Sequence, residues 1–85
     1  MIEDIVREIQ QILSANKCQV EGISVDMPFA DLGLTSITFI QLLIAIENKY
    51  GFEFQDSDLI LNNYHWVRDF VDVIYKNIKG ETNEN

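Results

Sequence analysis

Apolar residues recur every three or four positions in three long stretches of the chain, with charged and polar residues between them. This spacing places the apolar side chains on one face of an α-helix, and it predicts helices over residues 2–15, 36–50 and 65–78. Gly51 and Gly80 follow the last two, where a left-handed glycine commonly closes a helix. The expected core-facing residues of the first and last helices are Ile2, Ile5, Val6, Ile9, Ile12, Leu13, Val67, Phe70, Val71, Ile74 and Ile78.

A long segment without helical spacing separates the first two helices. It runs over residues 16–35 and contains Gly22, Pro28 and Gly33. Loops of this length are uncommon inside compact domains and are often functional. We expect one short helical turn over residues 28–32. The apolar residues available to anchor the loop to a core are Val20, Ile23, Val25 and Phe29.

The segment between the second and the last long helix predicts one short helix. Residues 56–58 supply capping side chains, residues 59–61 are apolar, and the two asparagines at 62–63 end the helix. The expected fold is therefore all-α: a small four-helix bundle with three long helices, one short helix and a long loop between the first two. We expect a single domain over residues 1–80 and a flexible C-terminal tail over residues 81–85.

The second long helix carries two apolar stripes, although a helix in so small a domain should have one wet face. The first stripe is spaced for the core and consists of Phe39, Leu42, Leu43, Ile46 and Tyr50. The second consists of Ile37, Ile40 and Ile44, flanked by Gln41 and by the helix's only acidic residue, Glu47. This second stripe either packs under the long loop or forms an exposed docking patch, and we favour the docking patch.

Composition and charge narrow the classes of function. The chain has 85 residues, 47% of them apolar, which is enough for one core. Its 14 acidic and 6 basic residues give a net charge of −8, which argues against nucleic acid or an anionic membrane as a partner. The single Cys18 excludes an internal disulfide and a cysteine-rich zinc site. The acidic residues Glu53, Asp56 and Asp58 could bind a divalent cation or a basic partner, but we favour a solvated acidic face and expect no metal site. With no secretion signal or membrane-spanning run, we expect a cytoplasmic monomer.

The candidate chemistry lies at Ser36, in the first turn of the second helix. A phosphate on its hydroxyl would meet unpaired backbone N–H groups and the positive end of the helix dipole. No base lies near Ser36 in the sequence, and no catalytic site can be assembled from the one histidine and one cysteine. Ser36 is therefore either an attachment point or only a capping residue.

These residues resemble the acyl and peptidyl carrier proteins. The resemblance covers nearly the whole chain and rests first on Leu32, Gly33 and Ser36, which match the family's Leu-Gly-x-x-Ser pattern. Asp31 before the pattern and Ile37 after it are also similar to carriers, as are the run Ala-Ile-Glu-Asn-Lys-Tyr-Gly at residues 45–51 and the Phe-Glu-Phe that follows. The order of helices and loop agrees with the family as well.

The resemblance implies that Ser36 is esterified with 4′-phosphopantetheine from coenzyme A by a separate, magnesium-dependent phosphopantetheinyl transferase. The terminal thiol would hold an acyl, aminoacyl or peptidyl group as a thioester. An adenylation domain, ligase or acyltransferase would load the thiol, and downstream condensing or modifying enzymes would use the cargo. The carrier itself would catalyse nothing.

The sequence departs from fatty acid synthesis carriers at the start of the second helix. Those carriers usually have Asp before the serine and a densely acidic helix, whereas this chain has Thr35, Thr38, Gln41 and Ile44. Thr35 can still cap the helix, but it offers no charge to a basic partner. We therefore favour a free-standing carrier in nonribosomal peptide or polyketide metabolism, over a fatty acid or D-alanyl carrier. The family's usual Ser or Thr cap on the last helix is replaced by His65, so we expect a looser end there or a cap from Asn63.

The cargo is expected to be short or exposed to solvent. In this family an acyl chain can enter a gap between the second and third helices, and bulky Phe39 would fill it. The candidate cargo contacts are Phe39, Leu42, Ile46, Leu59, Leu61 and Trp66. An alternative of another class is an unmodified helical adaptor that binds a partner through Ile37, Ile40 and Ile44.

Overall fold

The computed structural model describes residues 2–16 and 22–80. Three α-helices organise this part of the chain: α1 over Ile2–Ala15, α2 over Ser36–Tyr50 and α3 over Val67–Ile78. Three 3₁₀ turns complete it, over Phe29–Leu32, Asp56–Leu59 and Leu61–Asn63. The predicted all-α bundle is confirmed, and its short fourth element consists of the last two of these turns. Three features named above lie outside the described residues: the predicted loop anchor Val20, the single Cys18, and the predicted tail over residues 81–85.

The helical spacing read from the sequence matches the faces that are buried. α1 buries its predicted stripe, and α2 is closed at Gly51, whose φ of 76° is the left-handed conformation expected of a terminal glycine. The core residues, all apolar, are Ile5, Ile9, Ile12, Leu13, Phe29, Leu32, Phe39, Leu42, Leu43, Ile46, Phe54, Tyr64, Val67, Phe70, Val71 and Ile74. Ile2, Val6, Tyr50 and Ile78, also predicted to face the core, pack against it half-buried.

The start of α3 differs from the prediction. The helix begins at Val67, two residues later than expected, and Asn63 does not cap it, because its amide donates to the Ser57 carbonyl at 3.0 Å. The prediction of an Asn63 cap was therefore wrong. Instead the Asp69 carboxylate accepts from the Trp66 N–H at 3.0 Å.

The long loop satisfies two more N–H groups at this end of α3, which explains why no Ser or Thr cap is needed. The N–H of Val67 donates to the Met27 carbonyl and that of Arg68 to the Val25 carbonyl, each at 3.0 Å. In the reverse direction the Phe29 N–H donates to the His65 carbonyl at 2.9 Å. The predicted looser end is therefore not observed, because backbone groups distant in sequence replace the side-chain cap.

Candidate functional site

Ser36 is the first residue of α2, and its side chain is exposed. Thr35, immediately before it, is the residue that caps the helix: its hydroxyl accepts from the Thr38 N–H at 3.1 Å, and the Thr38 hydroxyl accepts from the Thr35 N–H at 2.8 Å. This reciprocal pair is a capping box, in which each side chain satisfies the other residue's backbone N–H. In the described part of the chain no hydrogen bond occupies the Ser36 hydroxyl, so Ser36 is not the capping residue.

The motif residues before Ser36 hold the loop against the core and then turn it into α2. Phe29 and Leu32, at the two ends of the first 3₁₀ turn, are each only 2% exposed, whereas Asp31 between them faces solvent. Gly33 follows with φ of 68°, a left-handed conformation that is unfavourable for residues with a side chain. Leu32 and Gly33 thus serve packing and chain reversal, and Ser36 follows them at the surface.

The start of α2 fits a phosphate ester on Ser36. No acidic residue lies in the first turn, so nothing in that turn repels a negative charge. Backbone N–H groups in the first turn of a helix lack partners within the helix, and the dipole of this 15-residue helix favours an anion there. The exposed hydroxyl leaves room for a transferase to reach it.

The docking stripe of α2, defined as Ile37, Ile40 and Ile44, is exposed. The exposed fractions are 69%, 53% and 52%, so the alternative in which the stripe packs under the loop was wrong. Gln41 is exposed beside it. Exposed apolar residues that line one face of a helix mark a candidate interaction surface.

Glu47, which the sequence placed with the docking residues, has an internal role. Its carboxylate accepts a hydrogen bond from the Phe54 N–H at 2.9 Å and is partly buried. The bond ties the end of α2 to the segment that leaves it. Glu47 therefore stabilises the fold locally, and its charge is already engaged.

The residues predicted to line a cargo gap differ widely in burial. Phe39, Leu42 and Ile46 are at most 2% exposed and belong to the core, whereas Leu59 and Trp66 are 44% and 46% exposed. Leu61 is half-buried. The predicted lining is therefore split between the core and the surface.

An aromatic cluster of Phe29, Phe39, Tyr64 and Phe70 fills the space between α2 and α3. Tyr64 lies 5.1 Å from Phe70 and 6.1 Å from Phe39, measured between ring centroids. Phe29 lies 5.3 Å from Phe70. The Tyr64 hydroxyl donates to the Asp58 carbonyl at 2.7 Å, and burial, with the nearby Asp58 charge, raises the pKa of this phenol.

A cleft of about 220 Å³ opens beside this cluster, and most of the residues that line it were not predicted from the sequence. The cleft lies between two segments of the chain. One is the first 3₁₀ turn together with the residues that follow it, and the other is the last 3₁₀ turn. Its lining consists of Phe29, Ala30, Leu34, Leu61, Asn62 and Tyr64. Leu61 was the one lining residue expected to contact cargo. The others come from segments far apart in sequence, and their spacing contains no signal that they meet.

Ser57, a second serine near the start of a helical turn, is a capping residue by its sequence and not a second attachment candidate. Ser57 lies exposed in a 3₁₀ turn and lacks the Leu-Gly residues that precede Ser36. Among the described residues, no group of histidine, aspartate and glutamate side chains is arranged to hold a metal ion. Of the described helices, none is long and apolar enough to cross a membrane.

Comparison with known proteins gives a family match over most of the chain. Residues 3–74 match the model of the family described as phosphopantetheine attachment site. The acyl carrier protein of Coprothermobacter proteolyticus is 32% identical over 78 residues, which cover 89% of this chain and 93% of that protein. The acyl carrier protein of Rickettsia bellii is 30% identical over 59 residues, covering 67% and 73%.

A solved structure supports the fold independently. The crystal structure of an acyl carrier protein from Thermotoga maritima superposes with a TM-score of 0.80 at 20% sequence identity. The match covers 95% of this chain and 94% of the other. At that identity the likeness shows the fold alone, and it confirms the predicted helical architecture.

Proposed function

The chain belongs to the phosphopantetheine-attachment family of acyl and peptidyl carrier proteins, and from that premise we propose that Ser36 is the residue that carries the group. Members of this family hold 4′-phosphopantetheine covalently and are carriers, not enzymes. They interact with a phosphopantetheinyl transferase and with acyl-handling enzymes. When bound, the group supplies a thiol on which cargo is held as a thioester.

One observation carries the assignment of Ser36: the capping role at the start of α2 belongs to Thr35. The Thr35–Thr38 capping box secures the helix end, so Ser36 has no structural task that explains its hydroxyl. The side chain is exposed, which a transferase requires. The family match over residues 3–74 supports a single carrier domain, which we place over residues 1–80 with residues 81–85 as a tail.

Intact-mass measurement tests the attachment. The protein is incubated with coenzyme A, magnesium and a broad-specificity transferase, and we expect a gain of one phosphopantetheine group. The gain should disappear in Ser36→Ala and persist in Ser57→Ala, the matched control at another exposed serine. A gain that persists in Ser36→Ala would refute the site. No gain in the folded wild-type chain would favour the unmodified adaptor.

The pathway is a finer proposal. We propose a role in nonribosomal peptide or polyketide assembly, supported by the exposed docking stripe and by the absence of acidic residues from the first turn of α2. Such a surface suits partners that dock through apolar contact. The net charge of −8 supports the exclusion of nucleic acid and anionic membranes as partners. Fatty acid synthesis is the second candidate, because both relatives compared above are named acyl carrier proteins.

Loading assays separate these pathways. The phosphopantetheinylated chain is offered to stand-alone adenylation enzymes with amino acids, and to a malonyl transferase and condensing enzyme of fatty acid synthesis. We expect efficient loading by enzymes whose carrier-binding surface is apolar, and weak loading by those whose surface is strongly basic. The opposite ranking would favour fatty acid synthesis.

A further inference from the structure

Thr38 lies in the first turn of α2, two residues after Ser36, and its hydroxyl contacts three polar atoms of Thr35. It accepts from the Thr35 N–H at 2.8 Å, lies 3.1 Å from the Thr35 hydroxyl and donates to the Thr35 carbonyl at 3.2 Å. In the reverse direction the Thr38 N–H donates to the Thr35 hydroxyl at 3.1 Å. Thr38 therefore holds both the N–H and the carbonyl of the residue that directly precedes Ser36.

These contacts form a closed hydrogen-bond network that needs a hydroxyl at position 38. A hydroxyl has one proton and two acceptor sites. With the Thr35 hydroxyl as donor, the Thr38 oxygen accepts from the Thr35 N–H and from that hydroxyl, and it gives its own proton to the Thr35 carbonyl. Every proton in the network then has an acceptor. A carboxylate in place of the Thr38 hydroxyl would have no proton for the carbonyl.

The network fixes the peptide group that leads into Ser36. The Thr35 carbonyl and the Ser36 nitrogen belong to one planar peptide unit. The carbonyl accepts from the Phe39 N–H at 2.9 Å as well as from the Thr38 hydroxyl. Phe39 is a core residue that is 2% exposed. The peptide is therefore held from the core side by Phe39 and from the first turn by Thr38.

The position of the Ser36 side chain depends on this backbone. Within the described chain the Ser36 hydroxyl makes no hydrogen bond, so the direction of its Cα–Cβ bond is set by the peptide before it. Residues 33–35 belong to no helix, and Gly33 stands two residues before Thr35 with φ of 68°. Glycine has access to more backbone conformations than other residues. The Thr38 contacts stop that freedom at Thr35, before it reaches Ser36.

The transfer to Ser36 depends on direction. The Ser36 Oγ forms a bond to the phosphorus that bears pantetheine, and the bond from that phosphorus to the adenosine bisphosphate of coenzyme A breaks. The adenosine bisphosphate leaves with the bonding electrons, and the Ser36 proton passes to the transferase. The attacking and leaving oxygens of a phosphoryl transfer lie roughly in line, and a misplacement of about 1 Å can cost about 100-fold in rate.

We propose that Thr38 is a positioning residue for this transfer: its hydroxyl holds the Thr35–Ser36 peptide so that the Ser36 Oγ meets the phosphorus in line. The inference rests on the proposed attachment at Ser36. Thr38 acts through Thr35 and touches neither coenzyme A nor cargo. Its task differs from that of the docking stripe, which offers apolar contact to a partner and does not orient the Ser36 hydroxyl.

Single-turnover transfer with the transferase in excess tests this role, because it separates the transfer step from product release. Thr38→Val replaces the hydroxyl with a methyl group of similar size and removes its contacts with Thr35. We expect the rate at saturating transferase to fall by about 10- to 100-fold. The transferase concentration that gives half of that rate should change little. Thr38→Ser keeps the hydroxyl and should restore the wild-type rate.

Asp69→Ala is the matched control for a loss of stability. Asp69 is the third residue of α3, as Thr38 is of α2, and its carboxylate accepts from the Trp66 N–H at 3.0 Å. Its removal deletes the same kind of capping bond from a different helix. We expect both Thr38→Val and Asp69→Ala to lower Tm, and Asp69→Ala to keep the wild-type transfer rate. Equal slowing in both variants would assign the effect to stability and overturn the positioning role.

Hydrogen exchange of the unmodified wild-type protein supplies a measurement that needs no variant. The Thr35 residue is exposed and lies outside the helix, and its N–H is held by the Thr38 hydroxyl. We expect the Thr35 amide to exchange more slowly than an unprotected amide of the same local sequence. Exchange at the unprotected rate would overturn the inference even if Thr38→Val does not fold.

The outcomes separate the two proposals. If the wild-type chain is modified at Ser36 and Thr38→Val reacts at the same saturating rate, the positioning role is overturned and the attachment stands. An effect confined to the half-saturating concentration would make Thr38 a docking contact and would also overturn the positioning role. Failure of the wild-type chain to accept any phosphopantetheine group would overturn the carrier function and this inference together.

Discussion

The substitution Ile40→Glu on the docking stripe tests whether that surface serves partners or the fold. Ile40 is 53% exposed, so about half of its side chain is buried in the free protein. Full burial of an isoleucine is worth about 1.5–3 kcal/mol, so losing the buried half costs about 0.7–1.5 kcal/mol of unfolding free energy. For a domain of this size that corresponds to a fall in Tm of about 3–12 °C.

The effect of Ile40→Glu on partner turnover should be about as large, in free energy, as its effect on stability. The exposed half of Ile40 becomes buried when a partner docks, and its loss removes a further 0.7–1.5 kcal/mol, by the same ~1.5–3 kcal/mol scale. This lowers kcat/KM for modification of Ser36 by about three- to twelve-fold. The assay is the initial rate of phosphopantetheine transfer at subsaturating carrier concentration, with thermal unfolding measured on the same samples.

Two variants on the same helix serve as controls. Gln41→Glu adds the same charge at an exposed neighbour of the stripe without removing apolar surface, and it should leave both the transfer rate and Tm nearly unchanged. Leu43→Glu places a carboxylate at a core residue that is 4% exposed, and it should unfold the domain or lower Tm far more than Ile40→Glu does.

Two results would refute the reasoning. If Ile40→Glu lowers Tm as much as Leu43→Glu does, the stripe is part of the core. If Gln41→Glu slows transfer as much as Ile40→Glu does, the partner responds to the added charge, and apolar contact is not the basis of docking.

Three further substitutions test the local contacts around the site. Thr35→Ala removes the cap of α2 and should cost about 1 kcal/mol of unfolding free energy in urea denaturation, whereas Thr35→Ser should cost little; equal losses would mean that the hydroxyl does not cap. Glu47→Ala should cost about 1.5–3 kcal/mol of unfolding free energy because the Phe54 N–H loses a charged acceptor. Glu47→Gln should keep much of that stability. If Glu47→Ala instead lowers partner turnover without lowering stability, Glu47 belongs to the docking surface. The pKa of Tyr64 is raised above its ordinary 10.0, so the unfolded chain releases the phenol proton at a lower pH than the folded chain does. The unfolding free energy should therefore not depend on this group below pH 10.0 and should fall as the pH rises above it. Tyr64→Phe should reduce the alkaline loss in a pH series of urea titrations, and an unchanged alkaline slope would contradict the assignment.

The bounds of α1 and α2 were predictable from local sequence. α1 and α2 begin and end where the apolar spacing and Gly51 placed them, because helix formation depends on residues within a few positions of each other. The cap at Thr35 was also predictable, since threonine is among the residues preferred directly before the first turn of a helix.

The start of α3 was not predictable in the same way. Its N–H groups are satisfied by the Val25 and Met27 carbonyls, about 40 residues earlier in the chain. Sequence reasoning looked for a side-chain cap near His65 and proposed Asn63. A backbone partner brought from a distant loop leaves no residue-type signal.

The sequence by itself determined that this is a helical carrier, with a hydroxyl at the start of its second helix and a second apolar stripe beside it. Both features follow from residues a few positions apart, whose relation is set by helix geometry. Only the tertiary structure decided that the stripe is exposed, that the aromatic cluster fills the interior, and that a small cleft opens beside that cluster. Those properties depend on the packing of segments far apart in the chain, since side-chain volume and burial are fixed only when the core closes around them.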